Sequence, residues 1–285
     1  MARPDVLRVA VAQTEVSDEV PNAGVLAAAG ARVRSQMAEA AAVGARVVQF
    51  PEGTLTYPSK RLISRRWPEI GEADWAKVDW DALQEELQCV AMAAADLGIW
   101  TVVGAPHLLS NGRRPHNSLY VFSDRGELVT RYDKRRLSIT EVTYMYPAGT
   151  EAVVFVVDDF RLGTVLCLEI LFPELFIDYA AMGVDAVLVS SAPSPTFGLL
   201  AQAHAIMNAV PVALAFAASG GSEVARSGIC AAEGWLSRCD DGLPGLAIAD
   251  IARQTQVTFH RKARAGLYDA HLAPSDPRSL DRRSL

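Results

Sequence analysis

The chain has 285 residues, half of them hydrophobic, with a formal net charge of −6. That is enough chain to bury a substantial core, and the charge lacks the basic footprint of a nucleic-acid-binding protein. Four cysteines (Cys89, Cys167, Cys230, Cys239) show no CxxC pair and no histidine at zinc-ligand spacing, which argues against a disulfide scaffold or a structural zinc site.

The N-terminus has no long apolar run ahead of a cleavage site, so no signal peptide is read there, and a cytoplasmic location is expected. Leu7–Gln13 reads as a buried strand, continuous in apolar residues. Asn22–Gly44 is alanine-rich with helical spacing. Ala45–Phe50 is a second strand, stopped by Pro51 and followed at once by Glu52. Asp79–Leu97 is the next helix, closed by Gly98, and Ile99–Ala105 is the third strand. Strand, helix, strand, helix, strand predicts a mainly parallel, buried sheet.

Asn117–Ser123 and Leu128–Lys134 read as a hairpin turned by Asp124, Arg125 and Gly126. Glu151–Val157 and Leu162–Leu168 form a second pair around Asp158-Asp159. Pro173–Met182 is a helix begun by proline. Asp185–Ser190 is a strand, Leu199–Ala209 a helix and Val212–Ala217 a strand. Gly198–Ala217 has the length of a membrane span, but Gln202, His204, Asn208 and Pro211 make a buried helix, a break and a strand the better reading. Gly228–Ala232, Trp235–Cys239 and Leu246–Ile251 are short strands. A domain over 1–256 is expected, with 257–285 as a C-terminal tail. The pattern predicts an α/β fold with two sheets face to face and helices on both outer sides.

Three polar residues stand at the ends of apolar strands: Glu52, Lys134 and Cys167. Cysteine attacks carbon as the thiolate. A carboxylate in reach can take its proton, and a lysine ammonium favours the anion and stabilises an oxyanion. Together they cover base, electrostatic stabiliser and nucleophile without an imidazole. The histidines at 107, 116, 204, 260 and 271 are scattered, against a Cys-His hydrolase. No G-x-G-x-x-G follows the first strand, against a dinucleotide enzyme. Glu169 is close to Cys167 in sequence, but as a strand neighbour two residues on it would share a face with the sulfur and not reach across it. Glu52 is therefore expected to be the base and Glu169 supporting structure.

These residues sit in motifs that resemble the carbon–nitrogen hydrolases of the nitrilase superfamily. The glutamate stands in Phe50-Pro51-Glu52, the lysine in Tyr132-Asp133-Lys134-Arg135-Arg136-Leu137, and the cysteine in the run Gly163 to Glu174 that closes on Phe172-Pro173-Glu174. Gly183–Ala192, Ala205–Asn208, Asn117-Ser118 and Gly149 extend the likeness over about residues 7 to 252. The resemblance implies an αββα sandwich, a four-layer fold of two mixed sheets with helices on both outer faces. It implies catalysis by Glu52, Lys134 and Cys167, a substrate-positioning role for Glu141, and the Leu168 backbone N–H in the oxyanion site. It implies no metal, no organic cofactor, and a homodimer or higher homo-oligomer.

The expected reaction is hydrolysis of a small amide or N-carbamoyl compound through a cysteine thioester. The alternatives are nitrile hydrolysis, acyl or amide transfer from the same site, or a catalytically silent binding or scaffold role. Arg136 and Leu168 depart from the family's histidine and aromatic residue at these positions, and Cys167-Leu168-Glu169 replaces the Cys-Trp-Glu of nitrile-cleaving members, which favours amidase or N-carbamoyl hydrolase. Tyr57, Ser191 and Phe197 are candidate pocket residues, with Trp67 also considered.

Overall fold

A computed structural model of the chain describes residues 5–56, 60–110, 112–220 and 225–252. Tyr57 and the expected tail from 257 lie outside the described residues. The first sheet is built from β1 (Val6–Gln13), β2 (Val47–Gln49), β3 (Trp100–His107), β4 (His116–Phe122) and β5 (Leu128–Asp133). The second takes β6 (Val154–Val157), β7 (Phe160–Leu166), β8 (Ala186–Ser191), β9 (Val212–Phe216), β10 (Gly228–Ala231) and β11 (Gly234–Arg238). The chain then returns to the first sheet as β12 (Gly245–Ala252), antiparallel to β1. The orders are β12-β1-β2-β3-β4-β5 and β11-β10-β9-β8-β7-β6. Each sheet has three central parallel strands with antiparallel flanks. Both are therefore mixed.

Five helices are described: α1 (Ala23–Ala42), α2 (Trp80–Leu97), α3 (Ile139–Tyr144), α4 (Pro173–Ala181) and α5 (Phe197–Asn208). The strand period of two sorts side chains between layers. Val9 and Val11 face inward with Leu162, Leu188 and Ala213 of the other sheet. Ala10 and Ala12 face outward, under Leu26 and Val33 of α1 and Leu83 and Val90 of α2. On the far side Val187, Val189 and Leu214 pack under Phe176 of α4 and Ala201 of α5. The result is the four-layer αββα sandwich that the strand pattern and the resemblance predicted. Among the described residues no helix is long and apolar enough to cross a membrane.

The two sheets are stitched at one end. Thr14, just past β1, bridges Ala217, just past β9, and Ala218 N–H donates to the Thr14 carbonyl at 2.8 Å. Ser190 of β8 donates to the Phe50 carbonyl at 2.7 Å and accepts from Gln49 Nε2 at 3.2 Å. These are buried hydrogen bonds made across the interface. They fix the relative position of the loops that leave β2 and β8, which is where the functional side chains gather.

Candidate active site

Glu52 leaves the apolar end of β2 on a tight turn. Phe50 N–H continues the ladder to the Val102 carbonyl at 2.8 Å, and Thr54 Oγ1 closes the turn on the Pro51 carbonyl at 2.6 Å. The turn lies against β3 at Gly104. A Cβ there would stand 2.5 Å from Gly53 N and 2.6 Å from Pro51 O, both backbone atoms. Gly104 is thus the residue that lets β3 support the Glu52 turn. Gly104→Ala is expected to destabilise the fold by about 1–3 kcal/mol through overpacking, measured by urea unfolding.

Lys134 follows β5 directly. Its N–H donates to the Asn117 carbonyl at 2.9 Å, and its own carbonyl accepts from Gly149 N–H at 2.8 Å. A Cβ on Gly149 would meet the Asp133 carbonyl oxygen at 2.3 Å, so that turn also needs glycine to close on the lysine. The Lys134 side chain is 1% exposed and Glu52 is 2% exposed. Lys134 Nζ donates to Glu52 Oε1 at 2.9 Å and to Glu141 Oε1 at 2.8 Å. Burial pulls the lysine down, but the charges of Glu52, Cys167 and Glu141 outweigh it, and its pKa ends well above the usual lysine range. The ammonium is therefore held charged inside the protein.

Glu141 is aimed by a capping box at the start of α3. Ser138 Oγ accepts from Glu141 N–H at 3.3 Å, and Glu141 Oε2 accepts from Ser138 N–H at 2.8 Å. One carboxylate oxygen is used by the cap and the other by Lys134. Burial raises Glu141, but the Lys134 ammonium and the Ser138 N–H prevail and its pKa is lowered. Asn117, at the start of β4, donates from Nδ2 to Glu52 Oε1 at 2.8 Å. Glu52 Oε1 thus takes both hydrogen bonds, and the buried Oε2 has no hydrogen-bond partner.

Cys167 comes from the other sheet. β7 ends at Leu166, and Cys167–Leu171 forms a short 3-10 turn before α4. Its thiol lies beside the Glu52 carboxylate, the Lys134 ammonium and the Ser191 hydroxyl. Burial is the largest influence on it and the Glu52 charge adds to that; Lys134 and Ser191 oppose them, and the thiol is pushed up to about 12. Cys167 has φ 51°, in the left-handed region that a non-glycine residue adopts at a cost. The expected strand end at Leu168 is corrected here, since the chain turns at Cys167 itself.

That turn changes the argument about Glu169. It is not a strand neighbour of Cys167. The 3-10 turn carries its buried carboxylate away toward β5, where it accepts from Tyr132 Oη at 2.7 Å, Arg135 N–H at 2.7 Å and Arg136 N–H at 2.9 Å. It also accepts from Leu166 N–H at 2.6 Å. Glu169 joins the cysteine turn to the lysine loop.

Ser191, at the end of β8, donates to the Ala192 carbonyl at 2.7 Å. Phe197 is buried in the core under α5, whereas Trp67 is 61% exposed. The structure brings Glu52, Lys134, Glu141 and Cys167 together, with Ser191 at the thiol. Asn117 is the partner that sequence reasoning placed only as a hairpin start. Its one signal was a polar residue opening an otherwise apolar strand. Among the described residues no group of three or more His, Cys, Asp or Glu could hold a metal ion.

A cysteine, a carboxylate with one free oxygen and a buried ammonium can attack a carbonyl carbon, move the proton and hold the resulting charge. Comparison with known proteins shows the family. The family profile described as Carbon-nitrogen hydrolase matches residues 8–260. Two hydrolases of Mycobacterium tuberculosis, Hydrolase MT0498 of strain CDC 1551 / Oshkosh and Hydrolase Rv0480c of strain ATCC 25618 / H37Rv, are each 29% identical over 231 residues, 77% of this chain and 75% of theirs. The NitN amidase of Nesterenkonia sp. AN1 superposes with a TM-score of 0.73 at 20% identity, over 90% of this chain and 99% of that one. A variant of that amidase carries the acetamide moiety of fluoroacetamide on its active-site cysteine and superposes with a TM-score of 0.71 at 19% identity, over 90% and 96%.

Proposed function

The chain belongs to the carbon–nitrogen hydrolase family, and from that premise we propose that it hydrolyses a small amide or N-carbamoyl compound to a carboxylic acid and ammonia or an amine. The observation that carries this reading is the state of Glu52. Oε1 is committed to Lys134 and Asn117, Oε2 is buried and makes no other hydrogen bond, and the carboxylate interacts with the Cys167 thiol. The thiol is held protonated at neutral pH, pushed up to about 12. A protonated nucleophile needs a base during attack, and Glu52 Oε2 is the free acceptor.

In this mechanism Glu52 takes the thiol proton as sulfur attacks the carbonyl carbon. The carbon–sulfur bond forms and the carbonyl electrons move to oxygen. The Lys134 ammonium and the Leu168 backbone N–H stabilise that oxyanion. The tetrahedral intermediate collapses, the carbon–nitrogen bond breaks, and Glu52 returns the proton to the leaving nitrogen. Water then enters, gives a proton to Glu52 and attacks the thioester. The acid leaves and the thiol is regenerated. Glu141 holds the ammonium against the reacting centre, Asn117 holds the base, and Glu169 holds the cysteine turn to the lysine loop. Ser191 is a pocket residue beside the thiol.

The same thioester would serve a transferase if an amine reached it before water, and a nitrile would enter through the same attack. A panel of small amides, N-carbamoyl compounds and nitriles, followed by mass spectrometry, separates these readings. The expected result is acid release from an amide or N-carbamoyl compound, with transient added mass on the peptide containing Cys167. Acid release that persists in Cys167→Ala overturns the mechanism, and hydroxamate formed when hydroxylamine is added shows that transfer competes with water. The expected cellular setting is the cytoplasm and the expected assembly a homodimer or larger.

Alkylation supplies a pH test. Because the thiol is raised in the folded protein, the thiolate is scarce below the ordinary thiol value and grows in only as pH rises toward about 12. Iodoacetamide labelling of Cys167 at pH 7 is therefore expected to be slower, by at least about tenfold, than for the unfolded chain. Equal rates would show that the thiolate already exists at rest.

A further inference from the structure

The outer face of the first sheet carries a groove of about 530 Å³ between α2 and the β4–β5 hairpin. Leu83, Leu87, Ala91 and Phe122 give it apolar walls, and Tyr120 and His107 also line it. Tyr120 is 7% exposed. No step of the proposed hydrolysis uses either residue.

The hydrogen bonds there fix where each proton lies. Arg131 keeps its charge at any ordinary pH and is only a donor. Its Nη1 lies 2.7 Å from His107 Nε2, so that nitrogen accepts. An imidazole with one accepting nitrogen is neutral and carries its proton on the other. His107 Nδ1, 2.8 Å from Tyr120 Oη, therefore donates to the phenol. Burial and the Arg131 charge lower the His107 pKa, in keeping with a neutral ring. Burial raises Tyr120 to about 12, so the phenol keeps its proton. Tyr120 Oη accepts from the protein, and its own O–H has no acceptor among the described residues.

The network behind Tyr120 is anchored. Arg131 donates to both Asp133 oxygens, at 2.8 and 2.9 Å, and Ser118 Oγ donates to Asp133 at 2.6 Å. His107 cannot turn over to accept from Tyr120 without setting an imidazole N–H against the Arg131 guanidinium. The groove thus holds a directed donor among apolar walls, the usual composition of a small-molecule site.

We propose that this groove binds a small uncharged molecule with an aromatic or branched apolar body and one carbonyl oxygen, which accepts from Tyr120 Oη. Asp81 lines the same groove and disfavours a carboxylate. The site is separate from Cys167 and does not depend on the hydrolysis proposed above.

Fluorine NMR titrations of the full chain with 4-fluoroacetophenone and 4-fluoroethylbenzene test it, since the two share a ring and differ in the carbonyl. The ketone is expected to bind saturably and more tightly than the hydrocarbon. Tyr120→Phe should weaken the ketone roughly three- to tenfold and leave the hydrocarbon unchanged. Ala91→Trp should abolish both, and prior alkylation of Cys167 should change neither. Absence of saturable ketone binding to the wild type overturns the proposal. So does equal affinity for ketone and hydrocarbon in the wild type, a comparison that needs no variant to fold. Loss of ketone binding on Cys167 alkylation would place the ketone in the other site. A change of oligomeric state in Ala91→Trp, with no ketone binding by the wild type, would make a second copy of the chain the occupant.

Discussion

Cys167→Ala is expected to abolish turnover of whatever amide the wild-type protein hydrolyses, by roughly 10⁴-fold or more, the scale on which loss of a covalent nucleophile is felt. Adduct formation should vanish with it. The fold should survive, because alanine is the smaller side chain and the groups around the thiol have partners of their own: Lys134 binds two carboxylates and Glu52 keeps Asn117. Stability carries a second signature. The thiol pKa is raised in the folded chain, so the wild type holds that proton more tightly folded than unfolded. The resulting contribution is fully present below the unfolded value of 9.0 and is lost as pH climbs toward about 12. The alanine variant has no such loss. Its stability relative to the wild type is therefore expected to improve over that alkaline window, as read by urea midpoints at a series of pH values. Midpoints that run parallel across the window would show that the thiol titrates normally.

Lys134→Met should damage both activity and stability. Methionine has about the volume of the lysine stem, so packing is kept and the charge is removed. Glu52 and Glu141 are then left buried without the ammonium between them. Breaking a buried ion pair by deleting one partner costs about 3–5 kcal/mol. Loss of an oxyanion donor removes about 10²–10³-fold in turnover. The pH dependence should also invert at the acid side. In the wild type the Glu141 pKa is lowered, so its contribution is present above the unfolded value of 4.5 and fades as pH falls through the folded one. Without the ammonium, burial is opposed on Glu141 only by the Ser138 N–H and the Lys60 charge, its pKa rises relative to the wild type, and the variant is expected to gain stability as pH falls. Urea unfolding at pH 7 and near pH 5 checks the sign. A variant that is no more stable at the lower pH would mean that the carboxylates have found other partners.

Much of the fold was legible because continuous apolar runs mark strands buried on both faces, and glycine and proline mark where they stop. The Phe50-Pro51-Glu52 and Phe172-Pro173-Glu174 turns placed Glu52 and the cysteine segment at strand ends for that reason. What could not be read was non-local. Asn117 meets Glu52 across 65 residues of chain, and no local pattern announces such a bond. The return of β12 to pair beside β1 is of the same kind. Glu141 was reached only through the family resemblance, because a six-residue helix has too little length for an apolar stripe. Its signal was the Ser138-x-x-Glu141 capping box, which was there to be read. The reasoning that set Glu169 aside assumed a strand through residue 168. It failed because a non-glycine residue with positive φ leaves no mark in sequence.

That backbone at Cys167 has a consequence for how the protein can change over generations. At φ 51° the residue best suited to the backbone is glycine, which meets no Cβ clash there. Selection for stability alone would favour glycine at this position, and under the proposed mechanism the chemistry is what holds a thiol there. A lineage that no longer needed the reaction would be expected to lose Cys167 early, with Cys167→Gly at least as stable as Cys167→Ala. The sandwich would persist and the thiol would not.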